Sequence, residues 1–159
     1  MATSDQTLRQ TMETTLRTFL DGYLNASTHS DPSLLSTTLA PTCLRKMLPA
    51  SFLTTIGMPT DVALDVKGYE EHWATQLPYA KTISVDVTHL SVDTGNKTGA
   101  ARSVYVNRFS DGEEITLDMV WLVRFTEDGG KLTELVEYMD GLVFVKYEPK
   151  VRELMAKEK

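Results

Sequence analysis

Residues 113–140, EEITLDMVWLVRFTEDGGKLTELVEYMD, decide the fold class of this chain because they contain its clearest β-hairpin signal. Across residues 115–125, large apolar side chains occupy every second position. A period of two residues is typical of a strand with one strongly apolar face. The Glu-Asp-Gly sequence at 127–129 predicts a three-residue hairpin loop, because glycine closes such loops in the left-handed conformation. We therefore predict two long antiparallel strands in this stretch.

Glu137 is the least expected residue of this hairpin. The predicted loop pairs Trp121 with Leu135. It also pairs Met119 with Glu137, so the carboxylate shares a face with these apolar side chains. Burial of a carboxylate costs several kcal/mol unless the group is paired or protonated. We therefore predict that Glu137 is a functional group of a pocket lined by these three side chains. The alternatives are a solvated strand end, or a two-residue loop that turns Glu137 outward.

The preceding strands give the predicted sheet a second, partly apolar face. An Asp-Gly pair at 111–112 is a strong signal for a two-residue turn. That turn places Arg102 opposite Trp121, so Arg102 is a further candidate for the pocket. Two partly apolar faces imply that both are covered, one by helices and the other by a second subunit. We predict a homodimer through Tyr105, Asp118, Val120 and Tyr138 on the other face.

Helices are predicted before the strands. Apolar residues recur at three- and four-residue spacings over residues 5–24, which indicates an amphipathic helix. The polar residues 25–30 then predict a loop. A short second helix begins at Pro32, because proline suits the first helical position, and a third covers residues 67–76.

Two basic residues and a tyrosine are further candidates for the pocket. Arg45 stands in an otherwise hydrophobic segment, and arginine is not neutralised at accessible pH. If Arg45 points inward it therefore needs a carboxylate or an anionic ligand; otherwise it is exposed beside Lys46. His72 and Tyr69 lie three residues apart on the third helix and face the same way. His72 is either a proton carrier, because imidazole titrates near neutral pH, or a structural residue.

Composition and charge exclude several functional classes. A chain of 159 residues forms one domain by the usual size range, here 1–159 with a core at about 5–150. The net charge of −6, with Lys and Arg scattered, argues against a nucleic-acid surface. No run approaches the roughly 18 apolar residues of a membrane span, and the polar N-terminus does not resemble a signal peptide. We therefore expect a cytoplasmic protein that binds neither membranes nor nucleic acids.

The sequence predicts no cofactor and no metal site. Cys43 is the one cysteine, so an internal disulfide and a cysteine metal cluster are excluded. The three histidines, His29, His72 and His89, lack the spacing of helical metal ligands. No histidine lies near Cys43 in the sequence, so we predict that this cysteine is structural rather than nucleophilic.

The order of the predicted elements is an α+β pattern, with helices first and a run of long antiparallel strands after them. An extended segment at 142–147 and a terminal helix from Pro149 complete it. This order resembles the nuclear-transport-factor-2-like cone, in which helices and a curved sheet enclose a pocket. Several motifs also resemble small fungal SnoaL-like enzymes of secondary metabolism. The motifs are Cys43-x-Arg45-x-x-Leu48-Pro49-x-Ser51, Val120-Trp121-Leu122, Glu127-Asp128-Gly129 and Glu137-Tyr138-x-Asp140.

The resemblance implies a cofactor-independent isomerase or cyclase, since that group includes meroterpenoid isomerases and semipinacol-type isomerases of alkaloid pathways. The substrate would be a polycyclic terpenoid, polyketide or alkaloid intermediate. Glu137 matches a glutamate that lines the pocket in such enzymes, and Arg45 matches a basic residue of some members. The chain departs from the pattern at Asp118-Met119, where relatives carry an acidic residue followed by tyrosine. A mechanism that uses that phenol is therefore not expected here.

In the implied acid–base mechanism, Glu137 is the acid or the base and His72 is the second proton carrier. Arg45 or Arg102 holds a developing oxyanion. A dehydratase of the same fold is the nearest alternative, and it relies more on His72 or His89. A non-catalytic module that binds a ligand or a partner chain is the second alternative, and a chaperone-like or nuclear-transport role is the third.

Overall fold

The computed structural model describes residues 3–158, which form four α-helices and six β-strands. They are α1 (Ser4–His29), β1 (Leu39–Leu48), α2 (Ala50–Thr55), β2 (Ala63–Leu64), α3 (Val66–Gln76), β3 (Ala80–Asp93), β4 (Thr98–Phe109), β5 (Glu114–Phe125), β6 (Leu132–Met139) and α4 (Gly141–Lys157). A single 3₁₀ turn, Pro32–Leu35, follows α1. The predicted α+β class is confirmed.

The strands form one mixed sheet in the order β2-β1-β6-β5-β4-β3. The pair β1 and β6 runs parallel, and the other neighbouring strands run antiparallel. The helices pack on one side of this sheet, here called the inner face, and their apolar side chains form one core with it. The opposite side is the outer face. Within the described residues, no helix is long and apolar enough to span a membrane.

Helix α1 extends further than its apolar pattern predicts. Thr3 caps it by accepting a hydrogen bond from the backbone N–H of Gln6 at 3.2 Å. The polar residues 25–30 were expected to form a loop, but the helix continues to His29. Ser27 explains the extension, because its buried hydroxyl accepts a hydrogen bond from the backbone N–H of Thr82 on β3 at 2.8 Å. A polar residue here serves a tertiary contact rather than a turn.

The hairpin between β4 and β5 has a three-residue loop instead of the predicted two-residue turn. The backbone N–H of Phe109 donates to the carbonyl of Glu113 at 2.8 Å, and Gly112 adopts a φ of 93°. Glycine tolerates this left-handed conformation. One additional loop residue shifts the pairing by one position and therefore exchanges the two faces of β4. Arg102 lies opposite Val120 on the outer face, and Tyr105 lies opposite Leu117 on the inner face.

The hairpin between β5 and β6 is shifted by two positions from the predicted register. Trp121 pairs with Glu137, and Met119 pairs with Met139. The loop is one residue longer than predicted, since the backbone N–H of Thr126 donates to the carbonyl of Lys131 at 2.9 Å. An irregularity in the pairing between Arg124 and Phe125 adds the second position. A shift of two positions preserves the faces of both strands. The predicted pairs are therefore wrong, but the predicted inward direction of Glu137 is confirmed.

The segment 142–147 is helical rather than extended. Asp140 starts α4 by accepting a hydrogen bond from the backbone N–H of Leu142 at 3.1 Å. Pro149 lies inside this helix instead of opening it. The alternating apolar residues of this segment suggested a strand. In the helix, Tyr147 points inward and packs on Phe109 with ring centroids 5.6 Å apart. Tertiary packing thus overrides the local pattern.

Candidate active site

A cavity of about 570 Å³ lies between the helices and the inner face of the sheet. All four α-helices contribute side chains to its wall, which is mostly apolar. Its aromatic lining includes Tyr23, Tyr69, Trp73, Tyr105, Trp121 and Tyr147. A cavity of this volume and composition suits a small organic molecule with a large apolar surface.

Arg45 and Glu137 form a buried ion pair beside this cavity. Nη1 of Arg45 donates a hydrogen bond to Oε2 of Glu137 at 3.0 Å, and the two side chains are only 3% and 5% exposed. They meet because β1 and β6 are parallel neighbours that direct both side chains to the inner face. Lys46, the next residue, points to the other side and pairs with Glu134 at 3.4 Å. Arg45 is therefore the inward residue of the segment, and its carboxylate partner is Glu137.

Two tyrosines complete the surroundings of Arg45. Nη1 of Arg45 also donates to the hydroxyl of Tyr23 at 2.7 Å, and the hydroxyls of Tyr23 and Tyr69 are 2.9 Å apart. The guanidinium carbon lies 3.5 Å from the centre of the Tyr69 ring, a cation–π contact. Sequence reasoning identified Tyr69 but missed Tyr23, because Tyr23 belongs to the apolar stripe of α1 and looked like a core residue.

Glu137 keeps one oxygen available to the cavity. Oε2 is held by Arg45, whereas Oε1 has no hydrogen-bond partner among residues 3–158, and Glu137 lines the cavity. Burial raises the pKa of Glu137, and the positive charge of Arg45 and its hydrogen bond oppose part of that rise. Burial likewise raises the pKa of Tyr23 and Tyr69, so both phenols stay neutral. The group that a bound molecule meets here is a carboxyl with increased proton affinity.

Trp121 and Met119 form the wall next to Glu137, as predicted from the hairpin. The indole N–H of Trp121 donates to the buried hydroxyl of Ser103 at 2.8 Å, which fixes the orientation of the ring. Leu135, predicted to lie in the pocket, is instead fully buried in the core and does not reach the cavity. It is the register partner of Arg45 in the parallel pair of β1 and β6.

His72 lines the cavity but is not part of the Arg45 cluster. Its side chain is 48% exposed, and Nε2 lies 3.6 Å from a carboxylate oxygen of Glu148 on α4. The same nitrogen is 3.1 Å from Nε2 of Gln76. The structure therefore places the side chain of His72 beside α4, and it makes no hydrogen bond to Glu137 among residues 3–158.

Arg102 and Tyr105 occupy the opposite faces from those predicted, for the register reason given above. Arg102 makes two hydrogen bonds to the carboxylate of Asp118, at 3.0 Å and 2.6 Å, on the outer face. It cannot contact a molecule in the cavity from there. Tyr105 lines the cavity and donates its hydroxyl to the carbonyl of Leu20 at 3.1 Å. Asp118, Val120 and Tyr138 do lie on the outer face.

Other reactive groups give no sign of a second centre. Among the described residues, no three His, Cys, Asp or Glu side chains are grouped closely enough to hold a metal ion. Cys43 is buried, and burial raises the pKa of its thiol to about 11. A thiol with that pKa is a poor nucleophile at neutral pH.

Comparison with known proteins identifies the architecture. No protein-family model matches the chain, and no curated protein matches it. Among solved structures, BvnE pinacolase from Penicillium brevicompactum is 14% identical, with a TM-score of 0.74 over 94% of this chain and 95% of that chain. PrhC from Penicillium brasilianum is 12% identical, with a TM-score of 0.68 over 91% of this chain and 93% of that chain.

An NTF2-like protein of unknown function from Burkholderia pseudomallei is 12% identical, with a TM-score of 0.57 over 86% of this chain and 95% of that chain. The observed order of elements, in which helices precede the long antiparallel strands β3 to β6, is the order expected for the nuclear-transport-factor-2-like cone. This chain therefore has the NTF2-like, or SnoaL-like, fold.

Proposed function

We propose that this protein is a cofactor-independent isomerase or cyclase of a natural-product pathway, in which Glu137 transfers a proton to and from a polycyclic substrate. The observation that carries the proposal is the carboxyl of Glu137 at the cavity wall, with Oε2 anchored by Arg45 and Oε1 available. Burial raises the pKa of Glu137, which suits a group that must both give and accept a proton. The similarity in fold to BvnE, a pinacolase, supports a rearrangement.

The proposed reaction begins with protonated Glu137. It donates the proton on Oε1 to a carbonyl or epoxide oxygen of the substrate, and the resulting electron deficiency drives migration of a carbon–carbon bond or ring closure. Loss of a proton from the rearranged cation to the carboxylate restores Glu137 and yields an isomer. No electrons are lost or gained, so the balance requires no cofactor.

Arg45 acts on Glu137 rather than on the substrate in this scheme. Its Nη1 is engaged by Glu137 and Tyr23, and Arg45 does not belong to the cavity wall. The expectation that Arg45 holds an oxyanion of the substrate is therefore replaced by a positioning role. Its charge stabilises the carboxylate that forms when the proton leaves, and its geometry directs Oε1 to the cavity.

The cavity lining favours a positively charged transition state. Several aromatic side chains line the cavity, and the face of an aromatic ring attracts a cation through its quadrupole. The basic residues of the wall are His72 and Arg152, and both belong to its α3–α4 side. The mostly apolar lining disfavours water beside the reacting centre, where water would trap a reactive intermediate.

A dehydratase is the second candidate, and His72 at the cavity wall is the observation that favours it. If Glu137 protonates a hydroxyl group instead, water leaves and a second base must accept a proton. His72 is the candidate for that step, because it lines the cavity and an imidazole ring can accept a proton. The two reactions differ in product mass, because an isomer keeps the mass of its precursor and a dehydration product is lighter by one water.

Deletion of the gene, followed by metabolite profiling and complementation, tests the proposal. We expect accumulation of a precursor with the same mass as a product that disappears, and restoration by the wild-type gene. Complementation with Glu137→Gln should fail. Glu134→Gln is the matched control, since Glu134 lies on the same strand but pairs with Lys46 away from the cavity. An unchanged metabolite profile in the deletion strain would refute the proposed function.

We also propose that the outer face forms a homodimer. Val120, Leu122 and Tyr138 are 39%, 50% and 50% exposed there, an unusual set of large apolar side chains for a solvated sheet. The ion pair between Arg102 and Asp118 lies in the same face. The outer face of a second copy would bury these side chains. Both apolar faces of the sheet would then be covered, one by the helices and the other by the second copy.

A further inference from the structure

We infer that Asn107 and Tyr147 form a recognition site for a substrate hydroxyl group, at a position in the cavity distant from Glu137. This inference rests on the proposed function, because it describes the molecule that the same cavity holds. Asn107 is 4% exposed, lies on the inner face of β4 and lines the cavity. Its Oδ1 is buried without a hydrogen-bond partner among residues 3–158.

An unpartnered amide oxygen is costly in the empty protein. Leaving a buried acceptor unsatisfied forfeits the full desolvation free energy of that group. The neighbouring strand positions do not relieve it, since Asn107 is paired with Thr82 and Ile115 through the backbone of the sheet. Asn107 also lines the cavity, so a polar residue retained at this position is explained if its amide turns toward a bound molecule that supplies the missing donor.

Tyr147 supplies the complementary donor. Nδ2 of Asn107 donates to the hydroxyl oxygen of Tyr147 at 3.4 Å, so the phenol proton is directed elsewhere. Burial raises the pKa of Tyr147 to about 12, and the phenol therefore retains that proton at neutral pH. The ring is held by Phe109 and Phe144, with centroids 5.6 Å and 6.3 Å away. Asn107 and Tyr147 together present one acceptor and one donor.

A single hydroxyl group matches this pair, because it donates one hydrogen bond and accepts another. The sheet register sets how far the site lies from Glu137. Glu137 pairs with Trp121, and Asn107 pairs with Ile115 further along β5. Trp121 and Ile115 are roughly 20 Å apart along an extended strand. The substrate is therefore an elongated polycyclic alcohol whose hydroxyl lies far from the reacting bond.

Binding of two steroids tests this inference without any turnover. Androsterone carries a hydroxyl on a rigid four-ring skeleton, and its deoxy analogue lacks only that group. We expect the wild-type protein to bind androsterone about tenfold more tightly, as one buried hydrogen-bonding group typically allows. Asn107→Leu and Tyr147→Phe should each abolish the preference. Tyr79→Phe is the control and should keep it, because the Tyr79 hydroxyl binds Glu158 outside the cavity.

Thermal unfolding of the empty protein provides the second measurement. In the Tyr147→Phe background, where the hydrogen bond from Nδ2 of Asn107 is already absent, Asn107→Leu removes the unpartnered oxygen and should raise the Tm. Equal binding of the two steroids by the wild-type protein would overturn the inference, as would a preference that survives in Asn107→Leu. A lower Tm for Asn107→Leu in the Tyr147→Phe background would also overturn it, since the amide would then stabilise the empty protein rather than cost it free energy. None of these outcomes alters the Glu137 complementation result, so the two proposals fail separately.

Discussion

Nη1 of Arg45 lies 3.0 Å from Oε2 of Glu137, and this contact joins two strands that are distant in sequence but parallel neighbours in the sheet. The pair explains how a carboxyl is kept at an apolar cavity wall. Burial raises its pKa, and the guanidinium limits the rise. The consequences of this balance are testable at several residues.

The stability of the wild-type protein should depend on pH through Glu137. A carboxyl whose folded-state pKa is raised contributes stability that is fully present below its unfolded-state pKa and is lost as the pH rises through the folded-state pKa. The free energy of unfolding of wild type, relative to Glu137→Gln, should therefore decrease between mildly acidic and neutral pH. Urea unfolding across this range measures it. An increase over the same range would mean that the pKa is lowered, contrary to the account.

Arg45→Met should move the titration of Glu137 to higher pH. The substitution keeps an unbranched side chain in the space but removes the charge that favours the carboxylate. Carbon-13 NMR of labelled glutamate follows the Glu137 carboxyl directly. Lys46→Met is the matched control on the same strand, because Lys46 contacts Glu134 instead. A titration midpoint that is the same in wild type and Arg45→Met would exclude Arg45 as a positioning residue.

Tyr23→Phe should destabilise the protein more than Tyr69→Phe. The Tyr23 hydroxyl accepts from Arg45 and also contacts Tyr69, so its removal leaves a buried guanidinium donor unpaired. Such a loss costs roughly 1–3 kcal/mol. Tyr69→Phe loses one hydrogen bond but keeps the ring against the guanidinium. Urea unfolding at one pH compares the two variants, and an equal or reversed order would show that the Tyr23 hydroxyl does not support Arg45.

The outer face should hold two copies of the chain together. We expect sedimentation at micromolar concentration to give a dimer for wild type and a monomer for Leu122→Asp, because the substitution would bury a charge in the interface. Leu142→Asp is the control, since Leu142 is 83% exposed at the start of α4. A monomeric wild-type protein would contradict the proposed dimer.

The prediction that Glu137 points inward was correct although its predicted strand pairing was wrong, because the pairing was wrong by an even number of residues. The loop between β5 and β6 has one residue more than its Glu-Asp-Gly sequence indicated, and an irregularity beside Phe125 adds a second position. A shift of two positions keeps each side chain on its face. The positions of Arg102 and Tyr105 were not predictable in the same way. One extra residue in the Asp-Gly turn exchanged their faces, and nothing in the local sequence distinguishes that loop from a two-residue turn.

The contacts of the other residues of the site could not be predicted, because they join segments that are distant in the sequence. The partner of Arg45 depends on the parallel contact between β1 and β6, which no local pattern encodes. Tyr23 was hidden in the apolar stripe of α1, where a core tyrosine and a site tyrosine have the same spacing. The helical state of residues 142–147 depends on the cap at Asp140 and on packing of Tyr147, not on their alternating pattern.

The turnover of Glu137→Gln, measured with the precursor that metabolite profiling identifies, tests the central claim most directly. The amide keeps the shape of the carboxyl but cannot transfer a proton, and general acid–base groups typically contribute about a hundred- to ten-thousand-fold in rate. The account predicts a loss of that size per folded molecule, with Glu134→Gln close to wild type. Wild-type turnover by folded Glu137→Gln would contradict the account and remove Glu137 from the mechanism.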